Sequence, residues 1–348
     1  MQKRNFRWLL GATTFIVAAA IFALASGERG VSSAAPGVHA FPELGSRLGD
    51  LAWVRLTHGS AKADFATIGG RWTLVEKGNY PAAPDKMRRL LLGLADLTLV
   101  EPKTERPELF ARLDLDDPGN GKSTLVALQD RAGKTIAELV VGKMRRDRLG
   151  GGNDGVYVRK PGDDRAWLAR GSLDLAGDLA GDPPGGFVGW LDRRILDIAG
   201  SRIAGVTLTG DDGIALVLRR DAPDGKFAIA EAPPDAKFKN DAALAEPAAA
   251  LAGLDLDDVK PAADLPVPPK GVATAAFTTF DGLTVTLRLF AHDNADWVSV
   301  EAAGSGAAEP DSQAINTRLA QWSYALPVGR AKLLRTRLGD LVEPAKGS

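Results

Sequence analysis

The first 26 residues constrain this chain most. Lys3, Arg4 and Arg7 precede an apolar run from Trp8 to Ala25 that holds no charge. Leu9 to Ser26 spans 18 residues. That is roughly 27 Å of helix, close to the ~30 Å of a bilayer's hydrocarbon core. The run has no polar face, which argues against a buried helix of a soluble core. Basic residues lead it, and Glu28 and Arg29 follow it. That asymmetry keeps the N-terminus in the cytoplasm and sends the rest across the membrane. Ala23-Leu24-Ala25 also reads as a signal-peptide cleavage site, with the cut after Ala25. The length of the run and Trp8 at its head favour a retained single-pass anchor.

Behind the anchor about 310 residues remain, enough for two domains of ordinary size. The chain has 43 basic and 44 acidic residues and a net charge of −1. No basic tract marks a nucleic-acid footprint. Cysteine is absent, which excludes a thiol nucleophile, a cysteine-ligated zinc site and any disulfide. Only His39, His58 and His292 offer imidazoles, too few for a histidine-rich metal site. No cofactor is expected.

Residues 27–42 are rich in Gly, Ser, Ala and Pro and read as a linker. Strands are expected at Leu51 to Leu56, around Phe65 to Ile68, and at Arg71 to Glu76 after the Gly69-Gly70 turn. Pro84 and Asp85 open a helix. Met87, Leu90, Leu91 and Leu94 fall on one face of it, with Lys86, Arg88 and Arg89 on the other. A short helical turn near Pro107 precedes a meander. Its strands are Thr124 to Gln129, Thr135 to Val141, Val156 to Val158 and Ala166 to Leu168. Leu173 to Leu179 and Trp190 to Leu196 read as helical.

The order then recurs. Ala204 to Leu208 echoes Ala52 to Leu56, and Lys226 to Glu231 echoes Arg71 to Glu76. Leu251 to Leu256 echoes Leu94 to Leu99. The Asp281-Gly282 turn echoes Asp130 to Gly133, and Trp297 to Val300 echoes Val156 to Arg159. Five echoes in one order point to a duplicated unit. The expected organisation is a basic cytoplasmic segment 1–7, a transmembrane anchor 8–26 and a linker 27–42. Two modules follow at 43–200 and 201–342, with a tail at 343–348. The expected fold is α+β: tandem modules of mostly antiparallel sheet with helices packed on them.

The tryptophan strand ending in Glu76 is followed by Tyr80-Pro81-Ala82 and the leucine-laddered helix. Leu113-Asp114-Leu115 with Pro118, Val140-Val141-Gly142, Val156-Tyr157-Val158-Arg159 and Gln321 to Pro327 come after. Together these resemble the bacterial domain-of-unknown-function family 4340 over roughly Glu43 to Leu341. The resemblance implies a membrane-anchored envelope protein, and some members are associated with ABC-type transport systems of the gliding-motility kind. It carries no catalytic residues over. This chain departs from the family pattern at Pro233-Pro234, at Pro247 inside its second helix, and at Pro266 to Pro269.

Few motifs offer chemistry. Asn120 to Thr124 resembles the end of a P-loop, but Asp116 stands where the motif needs glycine, and a strand follows where a helix should. His292 to Asp296 reads as a polar loop rather than a cation site. His58 lies beside Gly59-Ser60, yet no G-x-S-x-G elbow exists. Most of the tryptophans, among them Trp53, Trp72, Trp167, Trp190, Trp297 and Trp322, read as core anchors. The best contact surface is the basic stretch Lys143, Arg145, Arg146 and Arg148, which suits a lipid phosphate or an acidic partner.

The expected function is therefore a non-catalytic interaction or scaffold protein on the periplasmic side of the bacterial inner membrane. Its partners are the membrane and an envelope or transporter protein, and no nucleic acid is expected. A lipid- or glycan-binding protein that uses the junction between modules is the first alternative. A hydrolase using two carboxylates is the second.

Overall fold

The computed structural model describes residues 37–119, 122–145, 155–171, 173, 175, 187–230 and 238–342. The expected anchor 8–26 and most of the linker lie outside them. Among the described residues no helix is long and apolar enough to cross a membrane.

The first sheet is built from ten strands: β1 (Val38–His39), β2 (Leu51–His58), β3 (Ala61–Ile68), β4 (Arg71–Leu74), β5 (Tyr80–Pro81), β6 (Thr98–Thr104), β7 (Thr124–Asp130), β8 (Thr135–Arg145), β9 (Gly155–Arg159) and β10 (Ala166–Arg170). A two-stranded ribbon pairs β11 (Arg194–Leu196) with β15 (Leu254–Asp255). The second sheet holds β12 (Ile203–Thr209), β13 (Ala215–Arg219), β14 (Ala228–Ile229), β16 (Asp258–Pro261), β17 (Ala273–Thr279), β18 (Thr284–His292), β19 (Ala295–Ala303) and β20 (Trp322–Ala325). Adjacent strands pair antiparallel in both sheets, and the protein is α+β.

The two sheets share one strand order. Apart from β1 and β5 at its edges, the first runs β6-β10-β9-β8-β7-β2-β3-β4. The second runs β16-β20-β19-β18-β17-β12-β13-β14. Each position in the second is filled by the strand ten places later in the chain. Three of the sequence echoes land on these pairs, at β2 and β12, β4 and β14, and β9 and β19, and the Asp130 and Asp281 turns join β7 to β8 and β17 to β18; Leu251 to Leu256 instead falls on β15 of the ribbon, not on β16, the counterpart of β6.

Local chemistry explains the elements. In β2, Val54 and Leu56 point into the core while Trp53 and Arg55 point out, the period of two of a half-buried strand. The β7–β8 turn is held by Asp130, whose Oδ1 accepts from the Ala132 and Lys134 amides at 2.9 Å. After α1 (Leu44–Arg47), helix α2 (Pro84–Ala95) buries Met87, Leu90, Leu91 and Leu94, the expected stripe. Helix α3 (Asp241–Ala245) is capped by Asn240, which accepts from the Ala243 amide at 2.8 Å. It gives way to a 3-10 turn at Pro247, which has no amide to continue the ladder. Helix α4 (Glu309–Leu319) lies on β19, where Asn316 bonds the Ala302 backbone at 2.8 and 2.7 Å.

One expected helix is absent. Trp190 to Leu196 is no helix: a 3-10 turn at Val188–Trp190 leads into β11. Pairing with β15 decides its form, while Trp190, Leu191, Ile195 and Leu196 still reach the core. Leu173 and Leu175 are buried, and the rest of the expected helix Leu173 to Leu179 lies outside the described residues. One continuous apolar core runs from the first sheet through the ribbon into the second.

Candidate functional site

The corner formed by β4, β5 and the residues between them docks against the second sheet. Lys77 pairs with Asp258 of β16 at 2.5 Å. The Tyr80 ring stands edge-on to Trp322 at 5.0 Å and to Tyr324 at 6.2 Å. Burial pushes both tyrosine hydroxyls far above the usual phenol range, so both stay protonated. The Tyr80 hydroxyl donates to the Asp192 carbonyl at 3.0 Å, and the Asp192 amide donates to Pro81. The Ala83 amide donates to the Trp190 carbonyl at 2.8 Å. The chain around Asp192 is thereby stitched along the β5 edge, beside the start of α2.

This stitching leaves a cleft of about 680 Å³, within the size range of small-molecule sites. One wall is α2, which presents Pro84, Arg88, Leu91 and Leu92. The opposite wall is Arg71 and Trp72 of β4 with Tyr80 and Pro81 of β5. Leu48 follows α1, and Asp192 and Arg318 complete the lining. Arg318 reaches over from α4, donating to the Arg194 carbonyl at 2.9 Å and the Ile195 carbonyl at 2.6 Å. A second cavity of about 430 Å³ shares Leu48, Gly70 and Trp72 with the first. Its other lining residues include Gly69, Thr67 and Arg131. Trp72 thus stands between an apolar cleft and a more polar annex.

Charge in the two cavities is unbalanced. Arg71, Arg88, Arg131 and Arg318 line them against one carboxylate, Asp192. Arg88 makes a loose exposed pair with Asp85 at 3.5 Å. Arg71 and Arg131 make no ion pair among the described residues.

None of the basic residues singled out from the sequence lines this cleft. Lys143 is tied to the Arg112 carbonyl, and Arg145 ends β8 exposed. Arg146 and Arg148 lie outside the described residues. Ser123 donates to the Asp116 carbonyl, and Thr124 opens β7, so the residues after the P-loop-like turn form a strand. His58 Nδ1 lies 3.0 Å from the Ser123 carbonyl and 3.1 Å from Thr124 Oγ1. That ties β2 to β7 and leaves Ser60 aside. His292 Nε2 lies 3.1 Å from Lys260 Nζ and 3.0 Å from Asp293, with Lys260 over the Trp297 ring. Among the described residues no three potential metal ligands converge.

Trp167, Trp190, Trp297 and Trp322 are buried as expected. Trp53 is not: it stands 42% exposed on the outer face of the first sheet. Trp72 is half-buried and faces the cleft. One local signal marked the site. Leu92 lies off the stripe of Met87, Leu90, Leu91 and Leu94, and it is 46% exposed. A third consecutive leucine is more than the core side of α2 requires.

Compared with known families, residues 72–272 match a family described as Domain of unknown function (DUF4340). The match covers more than half the chain and spans β4, α2, Asp192 and the start of the second sheet. No curated protein and no solved structure matches the chain.

Proposed function

The chain belongs to the family described as Domain of unknown function (DUF4340), and on that premise we propose that it is a non-catalytic binding protein of the bacterial envelope. In this reading residues 8–26 anchor it in the inner membrane with the N-terminus in the cytoplasm. The body lies in the periplasm as two modules, 43–200 and 201–342, descended from one duplicated unit. The uncharged apolar run supports the anchor. The ten-strand interval between the two sheet orders supports the duplication.

The cleft between α2, the β5 edge and Arg318 carries the binding reading. It is concave and walled by apolar side chains with a few polar groups, as ligand sites are. Its lining holds one carboxylate, Asp192, whereas a glycosidase-type mechanism needs two acids facing each other across a groove. The walls are mostly apolar, with Trp72, Pro81, Pro84, Leu91 and Leu92 beside a few charged groups, so a ligand with an apolar body fits better than a glycan.

A scaffold role beside an ABC-type envelope transport system is the second reading. It draws on the family resemblance and on Trp53 and Ile68, which stand exposed on neighbouring strands of one sheet face.

The test is native mass spectrometry of the full chain extracted gently from its own membranes. Wild type should carry a small-molecule adduct that is absent from Leu92→Trp, in which the larger ring fills the cleft mouth. Wild type without an adduct, or an equal adduct on the variant, would count against the cleft.

A further inference from the structure

We propose that the cleft takes an acyl-chain anion, one tail lying between Trp72 and Leu91 and its carboxylate or phosphate head meeting Arg71 and Arg131. The proposal rests on the binding reading above and names the ligand class for that same site.

The two adjoining cavities share Leu48, Gly70 and Trp72 and differ in polarity. The larger has Trp72, Pro81, Leu91 and Leu92 in its walls, and Arg71, Arg88, Arg318 and Asp192 also line it. The annex is lined by the Gly69-Gly70 turn, Thr67 and Arg131. A ligand filling both needs an apolar body and a polar end.

Charge decides the sign of that end. Arg71 and Arg131 have no ionic partner among the described residues. A guanidinium offers a planar fork of donors matched to carboxylate or phosphate, and it holds an anion more strongly than a neutral acceptor. A cationic head would meet several arginines and one aspartate, an arrangement that repels it. A neutral polar head would leave the charge complementarity unused.

The position in the chain suits a ligand drawn from a bilayer. Leu48, a wall of both cavities, follows the apolar run ending at Ser26 by a short length of chain. In the anchor reading, the chain between the anchor and Leu48 keeps the cleft within about 70 Å of the membrane surface. The shared chemistry fits two sources, a free fatty acid and an anionic phospholipid.

The experiment places the full chain in nanodiscs of phosphatidylcholine. Photoreactive probes carrying a diazirine near the tail end are added separately: palmitic acid, its alcohol analogue and phosphatidylglycerol. Labelling is mapped on the tryptic peptide 90–103, which contains Leu91 and Leu92, and on residues 8–26 as a bilayer reference. The acid or the phosphatidylglycerol should label 90–103 about tenfold or more above the alcohol. The double variant Arg71→Ser/Arg131→Ser should lose that labelling while keeping the label on 8–26 and an unchanged melting curve. Labelling by the acid alone identifies a free carboxylate as the ligand; labelling by both probes identifies the shared anionic head. Equal labelling by the alcohol, or full labelling of the double variant, overturns the anion while leaving the cleft a binding site. No label on 90–103 from any probe overturns the anion and the binding reading together.

Discussion

The Tyr80 hydroxyl donates to the Asp192 backbone carbonyl at 3.0 Å, from a ring that also stands edge-on to Trp322. One side chain thus fixes the cleft wall at Asp192 and closes the seam between the sheets. Tyr80→Phe keeps the ring and removes the donor. It should cost about 1 kcal/mol in denaturant unfolding, because the buried carbonyl loses its partner. Trp322→Ala should cost about 3–5 kcal/mol through the cavity it leaves. Equal costs for the two would show that the seam is not held by aromatic packing.

Gly78 lies at φ +66° directly against the Pro261 ring of the second sheet. A β-carbon there meets both the left-handed backbone penalty and a steric overlap. Gly78→Ala should destabilise by about 2–4 kcal/mol. Gly133, at φ +77°, has open space around it and isolates the backbone effect. Gly133→Ala should cost about 1 kcal/mol. Thermal unfolding of both variants in detergent gives the comparison, and equal losses would remove the steric contribution at the seam.

Asp281 accepts a hydrogen bond from Thr279 and pairs with Arg202 at 2.7 Å, and these contacts hold its carboxyl below the ordinary range. A depressed folded-state pKa stabilises the fold above the unfolded value, near 3.9 for Asp. That contribution is lost as pH falls through the folded value. The wild-type melting temperature should therefore drop more steeply below about pH 4 than that of Asp281→Asn. Parallel acid limbs would show that the pair contributes nothing.

The proposed topology has its own check. Added protease should digest the body in spheroplasts stripped of the outer membrane and spare it in inverted inner-membrane vesicles. Digestion only in the inverted vesicles would reverse the orientation. Recovery of the full chain in the soluble fraction would remove the anchor.

Much of this fold was legible in local patterns. The stripe of Met87, Leu90, Leu91 and Leu94 defined α2 because amphipathic periodicity is a strong signal. The Asp130 and Asp281-Gly282 turns marked the hairpins: Asp130 accepts from the Ala132 and Lys134 amides, and Gly282 takes a positive φ. Trp190 to Leu196 misled because apolar pairs flanking Asp192-Arg193-Arg194 read alike as one face of a helix or as a short extended segment. Trp53 misled because its strand alternates correctly, but nothing local shows whether the outer face is covered. The cleft was the least legible. Trp72, Asp192 and Arg318 lie far apart in sequence, and only the docking of β5 against the second sheet brings them together. The basic stretch Lys143 to Arg148 drew attention because its charges are adjacent. The arginines that line the cavities are dispersed.

The most direct test is an experimental structure of the full chain purified with its native lipids. Elongated density between Trp72 and Leu91, ending within hydrogen-bond reach of Arg71 or Arg131, is the expected result. A cleft closed by the protein's own side chains, or filled by water alone, would contradict the claim that this chain works by binding there.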